Sequence, residues 1–77
     1  MLEDLQDKDD RALLRRVVAE RLTEREADII RRRSGLEGHL PQTQRQVAAA
    51  YNISRSYVSR IEKKALGKLE QALREYL

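Results

Sequence analysis

The segment from Thr43 to Leu69, TQRQVAAAYNISRSYVSRIEKKALGKL, constrains this chain more than any other. Thr43 with Gln46 three residues on makes a capping box, which opens a short helix over 44–50. Asn52 follows, and after glycine it is the residue type that best tolerates a left-handed backbone, so it suits a tight turn. Ser54 then offers a hydroxyl as the N-cap of a second helix. Val47, Ala48, Tyr51, Ile53, Val58 and Ile61 supply the apolar contacts that pack two helices across so short a turn, with Ala48 small enough for close approach. The pattern predicts a helix-turn-helix.

The second helix divides into two faces. At about 100° per residue, Arg55, Ser56, Ser59, Arg60 and Lys63 span about 140° of the wheel, and Val58, Ile61, Ala65 and Leu69 centre about 150° away. One side is built to bury. The other carries donors of the type that reads base edges and phosphates in a major groove.

Charge distribution points the same way. Residues 1–28 carry a net charge of −3, residues 29–68 carry +7, and residues 69–77 carry −1, so the overall +3 hides a basic block over the proposed recognition unit. A polyanion-binding surface needs that asymmetry.

The rest of the chain reads as helix, because glycine and proline number only three and one. Residues 1–8 are polar and expected to be frayed, leaving residues 9–77 as the folded domain. Asp9 or Asp10 is expected to cap a helix ending near Arg21, with Leu13, Leu14, Val17, Val18 and Leu22 as its apolar stripe. Thr23 with Glu26 is a second capping box, opening a helix through Ser34 that Gly35 stops. Residues 35–42 form the one substantial loop, and Leu36 and Leu40 are expected to fold back onto the core. The fourth helix is expected to run on toward Tyr76. The predicted class is all-α: four helices, with a C-terminal helix-turn-helix and a long recognition helix. At 77 residues, with 4% aromatics, the core must be small and aliphatic and its stability modest.

Other chemistry finds little support. There is no cysteine, hence no disulfide and no thiolate metal site, which fits a reducing cytoplasm. No apolar run approaches a membrane span and no signal-peptide pattern opens the chain. The one histidine, His39, sits near Glu37 with no second imidazole to complete a metal site or a catalytic set. Asp7, Asp9 and Asp10 lack the glycine and spaced terminal Glu of a calcium loop. Neither catalysis, nor a cofactor, nor a metal is expected.

The stretch LTEREADIIRRRSGL, followed by TQRQVAAAYNISRSYVSRIEKKALGKL, resembles region 4, the C-terminal promoter-binding region of bacterial sigma-70-family RNA polymerase sigma factors. ISRSYVSRIEKKAL is especially similar to the sporulation-type branch, and the resemblance runs from Leu13 to Leu73. It implies that the helix starting at Arg55 enters the major groove of the minus-35 element. Arg55, Ser56 and Arg60 would occupy the family's base-reading positions, with Ser59 and Lys63 on the same face, and Arg55 would contact guanine O6 and N7. Arg25, Arg33, Thr43, Gln44 and Lys64 would fall at phosphate-contacting or nearby positions. Ser56 stands where many relatives carry Glu and Arg60 where primary factors carry Gln, which implies a different preferred hexamer. The implied partners are double-stranded promoter DNA and the polymerase core through its β flap, with Leu22, Ile29 and Ile30 as candidate flap contacts. An anti-sigma factor or an activator touching Lys63 and Lys64 would be further partners. Two departures from the family stand out: Ser34 replaces a usual aromatic, and Asn52 replaces the usual glycine of the turn.

The resemblance also implies an excised domain of a longer protein, or a truncated gene product, since the promoter-melting and core-binding regions of a sigma factor are not in the chain. A monomer is expected in isolation. Two other readings stay open on the residues alone: a free-standing helix-turn-helix regulator that dimerises on a palindrome, and a purely protein-binding helical module.

Overall fold

The structure is a computed structural model that describes residues 8–36, 38 and 40–76. Four helices follow in order, α1 (Lys8–Arg21), α2 (Glu24–Ser34), α3 (Gln44–Tyr51) and α4 (Arg55–Arg74). The expected frayed segment lies outside the described residues except for Lys8, as do Asp7 and the Glu37–His39 pair. Helix α1 begins at Lys8, so Asp9 and Asp10 sit inside its first turn rather than before it.

The local signals explain the helix boundaries. The Thr23 hydroxyl accepts from the Glu26 N–H at 3.2 Å while the Glu26 carboxylate accepts from the Thr23 N–H at 2.9 Å, and α2 starts there. Thr43 and Gln46 repeat the arrangement at 3.1 and 2.8 Å to open α3. Ser54 Oγ accepts from the Tyr57 N–H at 3.1 Å and caps α4. Gly35 ends α2 at φ 68°, its N–H donating to the Arg31 carbonyl at 2.9 Å. Asn52 ends α3 at φ 56°, and the next N–H, of Ile53, reaches back to the Ala48 carbonyl at 3.0 Å. Asparagine thus replaces glycine at this turn with little backbone cost. Helix α4 stops at Arg74, and Glu75 and Tyr76 form a turn closed by N–H donation to the carbonyls of Ala72 and Leu73.

Two apolar clusters hold the helices together, and α2 and α4 contribute to both. Val17, Val18 and Leu22 of the α1 region meet Ala27 and Ile30 of α2 and Ala65, Leu69 and Ala72 of α4. Ile29 faces the other way, onto Val47 and Ala48 of α3 and Val58 of α4, with Tyr51, Ile53 and Ile61 at the margin. Neighbours on a helix point about 100° apart, which is how Ile29 and Ile30 serve different clusters. Leu36 packs on the first cluster as expected, whereas Leu40 is 86% exposed. The loop is fastened two residues later, where the Gln42 N–H donates to the Arg32 carbonyl at 2.8 Å.

Ile29 is fully buried in the cluster that seats the helix-turn-helix. Ile29→Ala should therefore cost about 2–5 kcal/mol in urea unfolding. That is a large part of the roughly 5–15 kcal/mol that holds a domain together. A loss below about 1 kcal/mol would mean that α2 is not seated as described.

Candidate nucleic-acid interface

Helix α4 presents Arg55, Ser56, Ser59, Arg60 and Lys63 to solvent, all exposed, while Val58, Ala65 and Leu69 behind them are buried. The separation of faces read from the wheel is present in three dimensions.

Each flank of this face carries a basic cleft. On one side Arg25 from the first turn of α2 joins Tyr57, Arg60 and Lys64 of α4 around a cleft of about 330 Å³. The Arg25 guanidinium lies 5.6 Å from the Tyr51 ring centroid and 5.9 Å from that of Tyr57, so two rings hold it across the end of α3 and the start of α4. On the other side Arg33, Thr43, Gln44, Arg45 and Arg55 line a cleft of about 360 Å³ at the N-terminus of α3. The positive end of a helix dipole adds to the cations there.

The acids near this surface are engaged internally, which leaves the exterior basic. The Glu26 carboxylate, with 7% of its side chain exposed, receives the Lys68 ammonium at 2.8 Å as well as the Thr23 N–H. Burial pushes its pKa up, but Lys68 and Thr23 outweigh burial and hold it below the ordinary 4.5. Asp28 accepts from Arg32 Nε at 2.9 Å and from the Tyr51 hydroxyl. Burial again opposes ionisation of Asp28, and its Tyr51 and Arg32 bonds lower it overall, while burial and then Asp28 raise Tyr51. Glu62 receives Arg33 and Gln44, as follows.

Arg33, expected at a phosphate, is part of an internal junction. Its Nε donates to both Glu62 carboxylate oxygens at 3.0 Å and its Nη1 to the Gln42 carbonyl at 2.9 Å. Gln44 is engaged at both ends of its amide, donating to Glu62 Oε1 at 3.0 Å and accepting from Arg55 Nη1 at 3.4 Å. Thr43 Oγ caps α3. Leu22, Ile29 and Ile30, expected at a protein partner, are 8%, 0% and 6% exposed and belong to the two core clusters. Burial leaves them little area to offer a partner; among the described residues the exposed large apolar side chains are Leu40, Tyr57, Leu66 and Tyr76.

Sequence reasoning overlooked Arg45, Tyr57 and Glu62. Glu62 had a signal, since it is one of only two acids among nine bases in residues 29–68. Among the described residues no group of three or more His, Cys, Asp or Glu is placed to hold a metal, and no helix is long and apolar enough to cross a membrane.

A capped helix-turn-helix with a basic, solvent-facing second helix defines a helical domain of the DNA-binding type. The chain belongs to the family described as Sigma-70, region 4, whose profile matches residues 18–71. It is 56% identical over 48 residues to an RNA polymerase sigma-28 factor of Bacillus thuringiensis subsp. kurstaki, covering 62% of this chain and 20% of that protein. Similarity to the RNA polymerase sigma-K factor of Bacillus subtilis is 52% identity over 48 residues, covering 62% of this chain and 16% of the relative. With the RNA polymerase sigma-E factor of Clostridium acetobutylicum it is 40% over 57 residues, 74% of this chain and 24% of the relative. The chain thus spans a quarter or less of the curated relatives it matches. No solved structure matches it.

At Ser34, where the resemblance led to the expectation of an aromatic, the hydroxyl donates to the Ile30 carbonyl at 2.7 Å. An open groove of about 790 Å³ lies beside it, lined by Arg11, Leu14, Arg15, Gly35, Leu36 and Gly38.

The lowered pKa values of Glu26 and Asp28 set an acid limit on the fold. A carboxylate depressed in the folded state contributes stability that is full above its unfolded value and lost as pH falls through the folded one. The urea midpoint should therefore decline on acidification below about 4.5, the ordinary value of Glu26. Lys68→Met should lower stability at neutral pH and flatten that decline. An unchanged acid limb in the variant would remove Lys68 as the cause.

Proposed function

We propose that this chain is the promoter-reading domain of an RNA polymerase sigma factor. It binds the minus-35 element with α4 in the major groove and so directs transcription initiation. The observation that carries the reading is the exposed Arg55, Ser56, Ser59, Arg60 and Lys63 face, backed by a buried stripe and flanked by two basic clefts. Arg55 reads guanine, Ser56, Ser59, Arg60 and Lys63 contact neighbouring base edges, and Arg25, Thr43, Lys64 and the open side of Arg33 fix register on phosphates. Supporting it are membership of the region 4 family and the names of the relatives.

In this reading the domain does no chemistry of its own and works in the cytoplasm. Its protein partner is the polymerase core, through the β flap. Leu22, Ile29 and Ile30 shape that contact from within by fixing α2, since they are buried. Likeness to sigma-K and sigma-E factors favours a sporulation-type role.

Selection of bound duplexes from a randomised pool, with oligomeric state measured alongside, tests the proposal. A monomer should enrich one asymmetric hexamer. A dimer on a palindrome would make the chain a free-standing regulator, and no enrichment would shift the function to protein binding.

Two quantitative outcomes are expected. With about five phosphates neutralised by Lys and Arg, log Kd against log salt should have a slope of about 4.5, and a flat response would sink the phosphate-led account. Arg55→Ala should cost roughly 1–3 kcal/mol on the enriched hexamer and little on scrambled DNA. Equal losses on both would make Arg55 a backbone contact.

A further inference from the structure

The carboxylate of Glu62 is where three helices meet, and it lies one side chain away from Arg55. Arg33 of α2 grips both of its oxygens at 3.0 Å and ties the same guanidinium to the Gln42 carbonyl, immediately before the cap of α3. Gln44, the first residue of α3, gives its amide N–H to Glu62 Oε1 at 3.0 Å. Only 14% of the Glu62 side chain is exposed, against 32% for Arg33.

This arrangement dictates which way the Gln44 amide points. A carboxylate is an acceptor alone, so it must take the NH2 end of the amide. The carbonyl end then faces away from Glu62, and Arg55 Nη1 donates to it at 3.4 Å. Arg55 is exposed and otherwise free to sample many rotamers, which ordering on DNA would have to remove.

We infer that Glu62 is a positioning residue for base recognition: through the amide of Gln44 it holds the Arg55 guanidinium in place before DNA arrives. The inference rests on the promoter-reading function proposed above. It assigns Gln44 to specificity, where a phosphate contact would assign it to affinity. It also gives Arg33 a second task, since its Nε–H, shared between both carboxylate oxygens, fixes the orientation of Glu62 itself.

Two variants separate these roles. Glu62→Gln keeps the shape and places an NH2 against either Arg33 Nε–H or the Gln44 amide, donor against donor. Gln44→Ala cuts the link to Arg55 and leaves the Arg33–Glu62 pair intact, so it remains informative if the first variant folds poorly. Affinities are compared on a duplex carrying the selected hexamer and on a scrambled one. Each variant should narrow the ratio by about fivefold or more, the loss falling on the selected duplex. The double variant should narrow it no further, because both changes break one chain of contacts. If Gln44→Ala weakens both duplexes equally, or leaves the ratio intact, the inference is overturned.

A second readout needs no DNA. Rotation of the Arg55 guanidinium, followed by NMR of its Nε–H in the free chain, should be slower in the wild type than in Gln44→Ala. If the wild type fails to discriminate between the duplexes, the promoter reading fails, and Arg55 mobility decides the positioning role by itself. Equal mobility in the two proteins would overturn it.

Discussion

Everything in this domain hangs on one face of α4. Val58, Ala65, Leu69 and Ala72 run down that helix as a buried stripe, and the stripe is divided between two apolar clusters. Its start closes the helix-turn-helix against Ile29, Val47 and Ala48; its later turns close α1 and α2 against Val17, Val18 and Ile30. None of these groups is aromatic, and dense packing of aliphatics tolerates little vacancy. The orientation of the exposed face follows from the burial of the other, since a helix cannot turn one without turning both.

Electrostatics then decides what that exposed face offers. A chain with 13 acids and 16 bases has no strong excess of either sign. Residues 29–68 carry the excess, +7, in their sequence, and the fold keeps nearby acids from facing the exposed cations by engaging Glu26 with Lys68 and Thr23, Asp28 with Arg32 and Tyr51, and Glu62 with Arg33 and Gln44. The Glu26 and Glu62 carboxylates are largely desolvated, so their pairs are screened less by salt than exposed ones such as Arg74–Glu70. Arg55, Arg60, Lys63 and Lys64 remain outward to meet a polyanion. Acidic residues inside and basic residues outside belong to the same device.

Local signals carried through to the structure where the partner lay within four residues. Thr23 with Glu26, Thr43 with Gln46, Ser54 with Tyr57, Gly35 and Asn52 each act where their neighbours in sequence imply. The stripes of α1 and α4 were equally readable, because periodicity is a property of one helix. Asp9 and Asp10 misled as caps, since a polar run holds several candidates and the helix took in an extra turn at Lys8. Leu40 misled as a core residue because its fate depended on where a loop was fastened.

The composition and spacing of residues 43–69 by themselves determined a helix-turn-helix, its two faces and its basic character, since each depends on interactions spanning one or two helical turns. Only the tertiary structure decided that Arg33, 29 residues from Glu62, would be its partner, that Gln44 would stand between Glu62 and Arg55, and that Leu22, Ile29 and Ile30 would be enclosed. Those outcomes depend on how whole helices cross. A crossing is set by the summed packing of several side chains from different helices, so no single stretch of sequence contains it.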